Sequence, residues 1–341
     1  MNKRLGKQTV KLSNPISILS SANVVGKKEG EGPLSQYFDV IMEDSTWGES
    51  SWEKTESKMQ NEAVSHAIQK ANITPDNIDY ILAGDLLNQC ISSSFALRDL
   101  SIPFFGVYGA CSTMAETISL GSMLIDGGFA EKISAVTSSH FCTAERQYRQ
   151  PLEYGGQRPP TAQWTVTGSG SVVLSKNGSG PYITHITTGK IIDMGIKDAN
   201  NMGAAMAPAA ADTLKVHFSD TNFKPNDYDM ILTGDLGALG KDILIDLMMH
   251  EGIDLRDNYD DCGCLIFDAE TQDTHAGGSG CGCGAVTLTG FVLRLMHEKK
   301  INNVLFMATG ALLSPTSTLQ GESIPAVAHA VSISNNISFG G

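Results

Sequence analysis

Thr74–Leu86 reads TPDNIDYILAGDL, and Lys224–Leu236 reads KPNDYDMILTGDL. The two stretches align without a gap at an offset of 150 and agree at seven of thirteen positions. Self-similarity of this kind marks an internal duplication. Each copy is a Pro turn followed by a short apolar strand that stops at Gly-Asp. Each also follows an amphipathic segment: Met59, Ala63, Ala67 and Ile68 recur at helical spacing before the first, and AADTLKVHF (210–218) does the same before the second. Downstream the parallel continues. Cys111 opens a segment with Met114, Ile118, Gly121 and Ile125 on one helical stripe, followed by the strand KISAVTSS. Cys283 opens a second with Leu288, Val292 and Leu295 on a stripe, followed by NNVLFMATG. Helices alternating with buried strands predict an α/β fold of two duplicated halves, with sheets covered on both faces. The halves are expected at 1–178, with an insertion at 140–167, and at 179–341, meeting in the turn-rich KNGSGP (176–181).

A chain of 341 residues, 41% hydrophobic and 7% aromatic, is long enough for this large core. Its net charge of −13 argues against nucleic acid or anionic lipid as a direct partner, because both require a surplus of Lys and Arg. No apolar run approaches the roughly 18–20 residues of a spanning helix, and MNKRLGKQTV lacks the apolar segment of a signal peptide. A soluble chain in a cytoplasmic-type compartment is expected. The seven cysteines are then expected as free thiols. Cys262-Gly-Cys264 and Cys281-Gly-Cys283 fit zinc poorly despite His275 between them, since structural zinc sites use wider C-x₂₋₄-C spacing. No cofactor motif is found: GALGKD lacks the first P-loop glycine and the Ser or Thr after Lys241, and no G-x-G-x-x-G follows a strand.

GACST (109–113), at the corner between an apolar strand and a buried helix, resembles the nucleophile corner of the thiolase superfamily, which includes the chain-initiating ketoacyl synthases. TVTGSGSVVLS (165–175) resembles that group's Gly-rich loop and strand before the mid-chain junction. The resemblance implies a layered α-β-α-β-α arrangement, with Cys111 at a helix N-terminus where the dipole favours a thiolate. It also implies a histidine after the strand YDMIL and a histidine or asparagine in the late Gly-rich loop. Here those positions hold Gly234-Asp235 and Ser279-Gly280. Without a base and an oxyanion partner, Claisen-type catalysis lacks the groups it requires. A degenerate acyltransferase using Cys111 is the alternative to a non-catalytic chain.

Longer motifs narrow the match. AGDLLNQ, GACSTMAE, SSHFCTAERQYRQPLEYGGQRP, MGAAMAPAAADT, DCGCLIFD, AGGSGCGCGAV and ATGALLSPT together resemble the stage V sporulation protein AD family of spore-forming Firmicutes. That resemblance implies binding of dipicolinate or its calcium chelate, for uptake into the developing spore. It also implies association with the inner spore membrane beside integral proteins of the same operon. Thiolase-like folds further imply a homodimer formed through an edge strand of the first half.

A flat pyridine with two carboxylates needs a slot, hydrogen-bond donors and at least one cation. The slot is expected between the halves, bounded by Cys111, the late Gly-rich loop and the insertion. Arg146 and Arg149 would share a face if AERQYR is helical, although a solvated face paired with Glu145 and Glu153 explains them equally. Tyr154 lies in the same insertion. Cys111 and Ser112 at the helix start, and Ser279 and Cys283 in the late loop, complete the corner; a small core residue is the plainer role for the thiols. His140 ends a strand, where it either reaches the pocket or is a satisfied structural histidine. Asp85 and Asp235 end equivalent strands. Only Asp235 is expected to face the Cys111 pocket, where it would touch the cation of a bound calcium chelate, and capping of a following helix is the bland role for both.

Overall fold

The computed structural model describes residues 3–148 and 158–340. The ten main strands are β1 (Thr9–Val25), β2 (Tyr80–Gly84), β3 (Phe104–Gly106), β4 (Lys132–Ser139), β5 (Gly168–Ser175), β6 (Tyr182–Thr187), β7 (Met230–Thr233), β8 (Tyr259–Asp261), β9 (Asn303–Ala311) and β10 (Ala326–Ser334). They run in the order β8-β7-β9-β10-β6-β1-β5-β4-β2-β3. The first five strands and the last five thus have the same internal order. In each set the fifth strand is antiparallel to its two neighbours, and the second is parallel to the third and fourth. The duplication read from the Gly-Asp stretches is a duplication of topology. β1 joins the two sets, its first part pairing with β6 and its second with β5.

The helices follow from the apolar stripes. α1 (Trp52–Lys70) is capped by Ser51, whose hydroxyl accepts from the Lys54 N–H, and it buries Met59, Ala63, Ala67 and Ile68. α2 (Ile91–Leu97) packs beside it. α3 (Thr113–Asp126) buries Met114, Ile118, Gly121 and Ile125. α4 (Phe141–Tyr148) opens the segment read as an insertion. α5 (Met202–Thr221) is capped by Asn201 and lies against α6 (Gly237–His250). α7 (Cys281–Val286) begins two residues earlier than the stripe suggests and runs through a π-helical turn at Thr287–Val292 into Leu293–His297.

Packing places these helices in layers. α1 covers β1, β4 and β5 on one outer face, and α5 covers β9 and β10 on the other. α3 lies between, touching β1, β2 and β4 of the first set and β9 and β10 of the second. The glycines of GCGCG let α7 approach strands closely: a methyl on Gly282 would lie 2.6 Å from the Gly168 carbonyl, and one on Gly284 would meet the Phe306 ring at 3.3 Å. With α3 and α7 as the shared middle layer, the start of α3 is buried against both sets of strands.

Candidate functional site

The chain leaves β3, turns through Gly109 and Ala110, and enters α3 two residues after Cys111. Ala110 has φ +51, a left-handed conformation unusual for a residue with a side chain. Local bonds hold it there. The Ser112 N–H and hydroxyl both donate to the Gly109 carbonyl, at 3.1 and 2.7 Å. The Thr113 hydroxyl donates to the Ala110 carbonyl at 2.6 Å and accepts from the Gly109 N–H at 3.1 Å. From the other half, Gly310 of β9 presses on this corner.

A cavity of about 90 Å³ opens beside Cys111. Among the described residues its lining comes from both halves: Leu86, Ala110, Cys111, Ala144, Glu145, Tyr148 and Thr165 from the first, and Ala199, Met202, Ser279, Ala311, Leu313 and Thr318 from the second. Thr165 and Ser279 are brought side by side by a short parallel ladder, Trp164–Thr165 with Gly278–Ser279. The lining is mainly apolar with a few convergent hydroxyls, the character of a small-ligand pocket.

Asp235 sits behind the thiol and is fully buried. Its carboxyl accepts from the Thr309 hydroxyl at 2.7 Å and from the Gly280 N–H at 3.1 Å, and it interacts electrostatically with the Cys111 thiol. Burial raises its pKa to about 7, against the pull of those donors. Burial also drives the Cys111 thiol well above its ordinary value, and the neighbouring Asp235 adds to this. Cys111 is therefore held as a neutral thiol, the unreactive form. The two positions where a condensing enzyme would carry its partners, Gly234-Asp235 and Ser279-Gly280, do converge on Cys111. They supply a carboxyl, a backbone N–H and a hydroxyl.

The other expected residues that are described do not line the cavity. The Ser112 hydroxyl is spent on the corner, and Cys283 is buried in the main core. His140 has both ring nitrogens engaged: Nε2–H donates to the Ser45 carbonyl at 2.9 Å, and Nδ1 accepts from the Cys142 N–H at 3.1 Å. Burial lowers its pKa to about 4. It is the satisfied structural histidine of the two roles expected for it. Arg146 is ion-paired with Glu53 and lies over the Trp52 ring at 5.4 Å, lining a separate depression with Asn88 and Gln89. Glu53 on α1 is thus one carboxylate partner that local spacing did not indicate, and Glu153 lies outside the described residues. Arg149 and Tyr154 lie outside the described residues. Asp85 does serve a helix start, accepting from the Ser93 N–H at 2.8 Å and the Leu87 N–H at 2.9 Å. Asp235 does not; the capping role before α6 belongs to Asp261, which accepts from the Leu236 and Gly237 N–H groups at 2.8 and 2.9 Å. All seven cysteines are free, and no metal-ligating cluster occurs among the described residues.

Sequence reading missed Glu145, Tyr148, Thr165 and Met202 as cavity residues. All four fall within the motifs AERQYR, TVTGSG and MGAAMA, which are the available signal. Residues 6–334 match the family model described as stage V sporulation protein AD (SpoVAD). The chain is also 49% identical over 329 residues to stage V sporulation protein AD of Bacillus subtilis (strain 168), covering 96% of this chain and 97% of that one. The chain belongs to the stage V sporulation protein AD family. This is a sporulation family, and its fold is thiolase-like. The structure resembles 3-oxoacyl-acyl-carrier-protein synthase III from Aquifex aeolicus VF5 with a TM-score of 0.58 at 13% identity, over 94% of this chain and 99% of that one. It resembles an OleA variant of Xanthomonas campestris with bound lauric acid and lauroyl-CoA with a TM-score of 0.61 at 12% identity, over 93% and 99%.

In this family member the buried charges make stability depend on pH. Glu29 and Asp235 are raised to about 7, Asp261 to about 6, and Glu56 is raised by burial with Asp85 beside it. Such carboxyls keep a proton in the folded state that the unfolded chain has released. They therefore lower stability as pH rises from about 4 through the folded pKa. His140, His185 and His329 at about 4 and His217 at about 3 act oppositely, adding stability as pH rises to about 6.5. The two sets oppose each other up to that point, and above it only the carboxyls remain. The melting temperature should fall from about pH 6.5 to pH 8, and Glu56→Gln should flatten the decline. Thermal scans across that range check it, and a rise with pH would contradict the assignment.

Proposed function

We propose that this sporulation-family protein is a ligand-binding protein rather than a condensing enzyme. Its ligand is dipicolinate, alone or as the calcium chelate, bound in the cavity beside Cys111 for uptake into the developing spore. The observation that carries this reading is the Cys111–Asp235 pair: the thiol faces a buried carboxyl and stays protonated. The cavity's slot and donors support the choice of ligand; no Lys or Arg lines it among the described residues, so calcium would supply the cation. Leu86, Met202 and Leu313 offer apolar surface for a flat ring, and Thr165, Ser279 and Thr318 offer hydroxyls for its polar edge. Glu145 in the same lining is a carboxylate of the kind calcium prefers.

On this reading the protein works as a homodimer at the inner spore membrane, handing its ligand to integral proteins of the same operon. No helix among the described residues is long and apolar enough to cross a membrane, so attachment would go through those partners. The intact corner at Gly109–Thr113 favours the alternative, acyl transfer through Cys111. Titration calorimetry with dipicolinate, with and without calcium, should give saturable heat in at least one arm. Absence of heat in both up to millimolar ligand would sink the binding reading. Acyl-CoA incubation followed by peptide mass spectrometry should leave Cys111 unmodified, whereas an adduct that turns over supports the transferase.

A further inference from the structure

A second depression lies away from Cys111, where β1, the end of α1 and the π-helical turn after α7 meet. It measures about 300 Å³ and shares no lining residue with the cavity beside Cys111. The π turn shapes it. Such a turn interrupts the regular helical hydrogen bonds, and π turns gather at functional sites. Here the Ser21 hydroxyl of β1 donates to the Thr289 carbonyl at 2.9 Å, inside that turn. Gly290 permits the close approach: a methyl on it would sit 2.7 Å from the Tyr37 carbonyl oxygen and 3.1 Å from Asn23 Nδ2. That amide nitrogen is buried with no acceptor among the described residues, although the Asn23 side-chain oxygen accepts from the Asp39 N–H at 2.9 Å. A buried donor left unpaired is costly and calls for a partner.

Basic side chains surround this floor. Lys70 closes α1, and Arg294 and His297 follow the π turn. Lys70 Nζ donates to the Ser21 carbonyl at 3.0 Å and to Asp39 at 2.6 Å, which fixes its place. Asp39 is the one carboxylate of the lining, and Lys70 neutralises it. Arg294 lies 5.9 Å from the centre of the Tyr37 ring, which Phe291 meets edge-on at 5.0 Å. His297 donates through Nδ1–H to the Leu293 carbonyl at 2.6 Å, and its Nε2 has no partner among the described residues. With the adjoining turn 297–300, the depression carries Lys70, Arg294, Lys299 and Lys300 against Asp39 and Glu298. This is a local positive excess in a chain whose net charge is −13. Surface ion pairs alone would account for Lys70 and Arg294, but not for the unpaired amide, the π turn and the hollow between them.

We propose that this depression binds a phosphoryl group, carried by a soluble phosphorylated compound or by a lipid headgroup. Arg offers a planar fork and Lys a point charge, both suited to phosphate oxygens. Lys70, Arg294 and His297 are three separate groups. A carboxylate, with two oxygens, would leave one of them idle, whereas a phosphoryl group has three. His297 Nε2 meets the third oxygen as donor or acceptor, according to which of the two holds the proton. The site shares nothing with the Cys111 cavity, so it stands independently of dipicolinate binding.

Phosphorus NMR of inorganic phosphate, titrated with the full chain at low ionic strength, reads the site directly. Wild type should broaden the signal saturably. Lys70→Gln and Arg294→Ala should each weaken binding about tenfold, and Arg294→Lys, which keeps the charge and loses the fork, should fall between. Arg294 is exposed, so its variants decide alone if Lys70→Gln, which strands Asp39, fails to fold. Flotation with phosphatidylglycerol vesicles, with phosphatidylcholine as the blank, separates the two sources. Flotation that is lost in Arg294→Ala assigns a lipid headgroup, and phosphate binding without flotation assigns a soluble compound; either result supports the site. A wild type that neither broadens the signal up to about 20 mM phosphate nor floats overturns it. So does binding that the Arg294 and Lys70 variants leave unchanged, because the phosphate would then sit elsewhere on the chain.

Discussion

Alanine at Gly310 should destabilise the protein by about 2–3 kcal/mol, because it forces two backbones apart. Gly310 lies on β9, in the second half, where its Cα faces the corner that carries Cys111 in the first. A methyl there would sit 2.2 Å from the Gly109 carbonyl oxygen and 3.1 Å from the Ser112 nitrogen. Neither atom is the end of a flexible side chain. The Gly109 carbonyl already accepts from the Ser112 N–H and hydroxyl, so the corner yields only by breaking its own bonds. Gly310 is not in the left-handed region, and alanine would otherwise suit its strand, so the loss isolates the contact. A thermal scan should show a melting temperature lower by roughly 5 °C. An unchanged value would mean that the halves do not meet at this point.

Phenylalanine at Cys111 should weaken dipicolinate binding by at least tenfold, about 1.4 kcal/mol. The side chain lines a cavity of about 90 Å³, and an aromatic ring there takes the space the ligand needs. Cys111→Ser is the matched control. A hydroxyl can still donate to Asp235, so the serine variant should bind within a few-fold of wild type. The comparison also separates binding from covalent chemistry, since a mechanism through the thiol would be lost in both variants. Calorimetry on the three proteins decides it, and equal affinity in all three would remove the ligand from this cavity.

The repeat was legible because each copy carries its structure locally. An apolar strand stopping at Gly-Asp forms β2 and β7, and the strand KISAVTSS occupies the residues of β4 without a shift. Helical stripes were equally clear, since burial at Met114, Ile118 and Ile125 follows from 3.6-residue periodicity alone. What was not legible was who faces whom. Asp85 and Asp235 stand at equivalent strand ends, yet one serves a helix start and the other lies beside a thiol, because α3, which carries the Cys111 corner at its start, belongs to one half while Asp235 belongs to the other. Arg146 pairs with Glu53 on α1, and nothing in local spacing points there.

By itself the sequence determined the duplicated α/β architecture, the family and the small-residue corner at Cys111, all of which follow from patterns within a few turns or strands of chain. The tertiary structure alone decided the chemistry of the corner. Asp235, Gly280 and Thr309 reach Cys111 from segments more than a hundred residues away, and burial at their meeting point keeps both the carboxyl and the thiol from ionising readily. The electrostatic cost of charge in a buried site depends on every group packed around it, and that set exists only once the two halves have closed on α3.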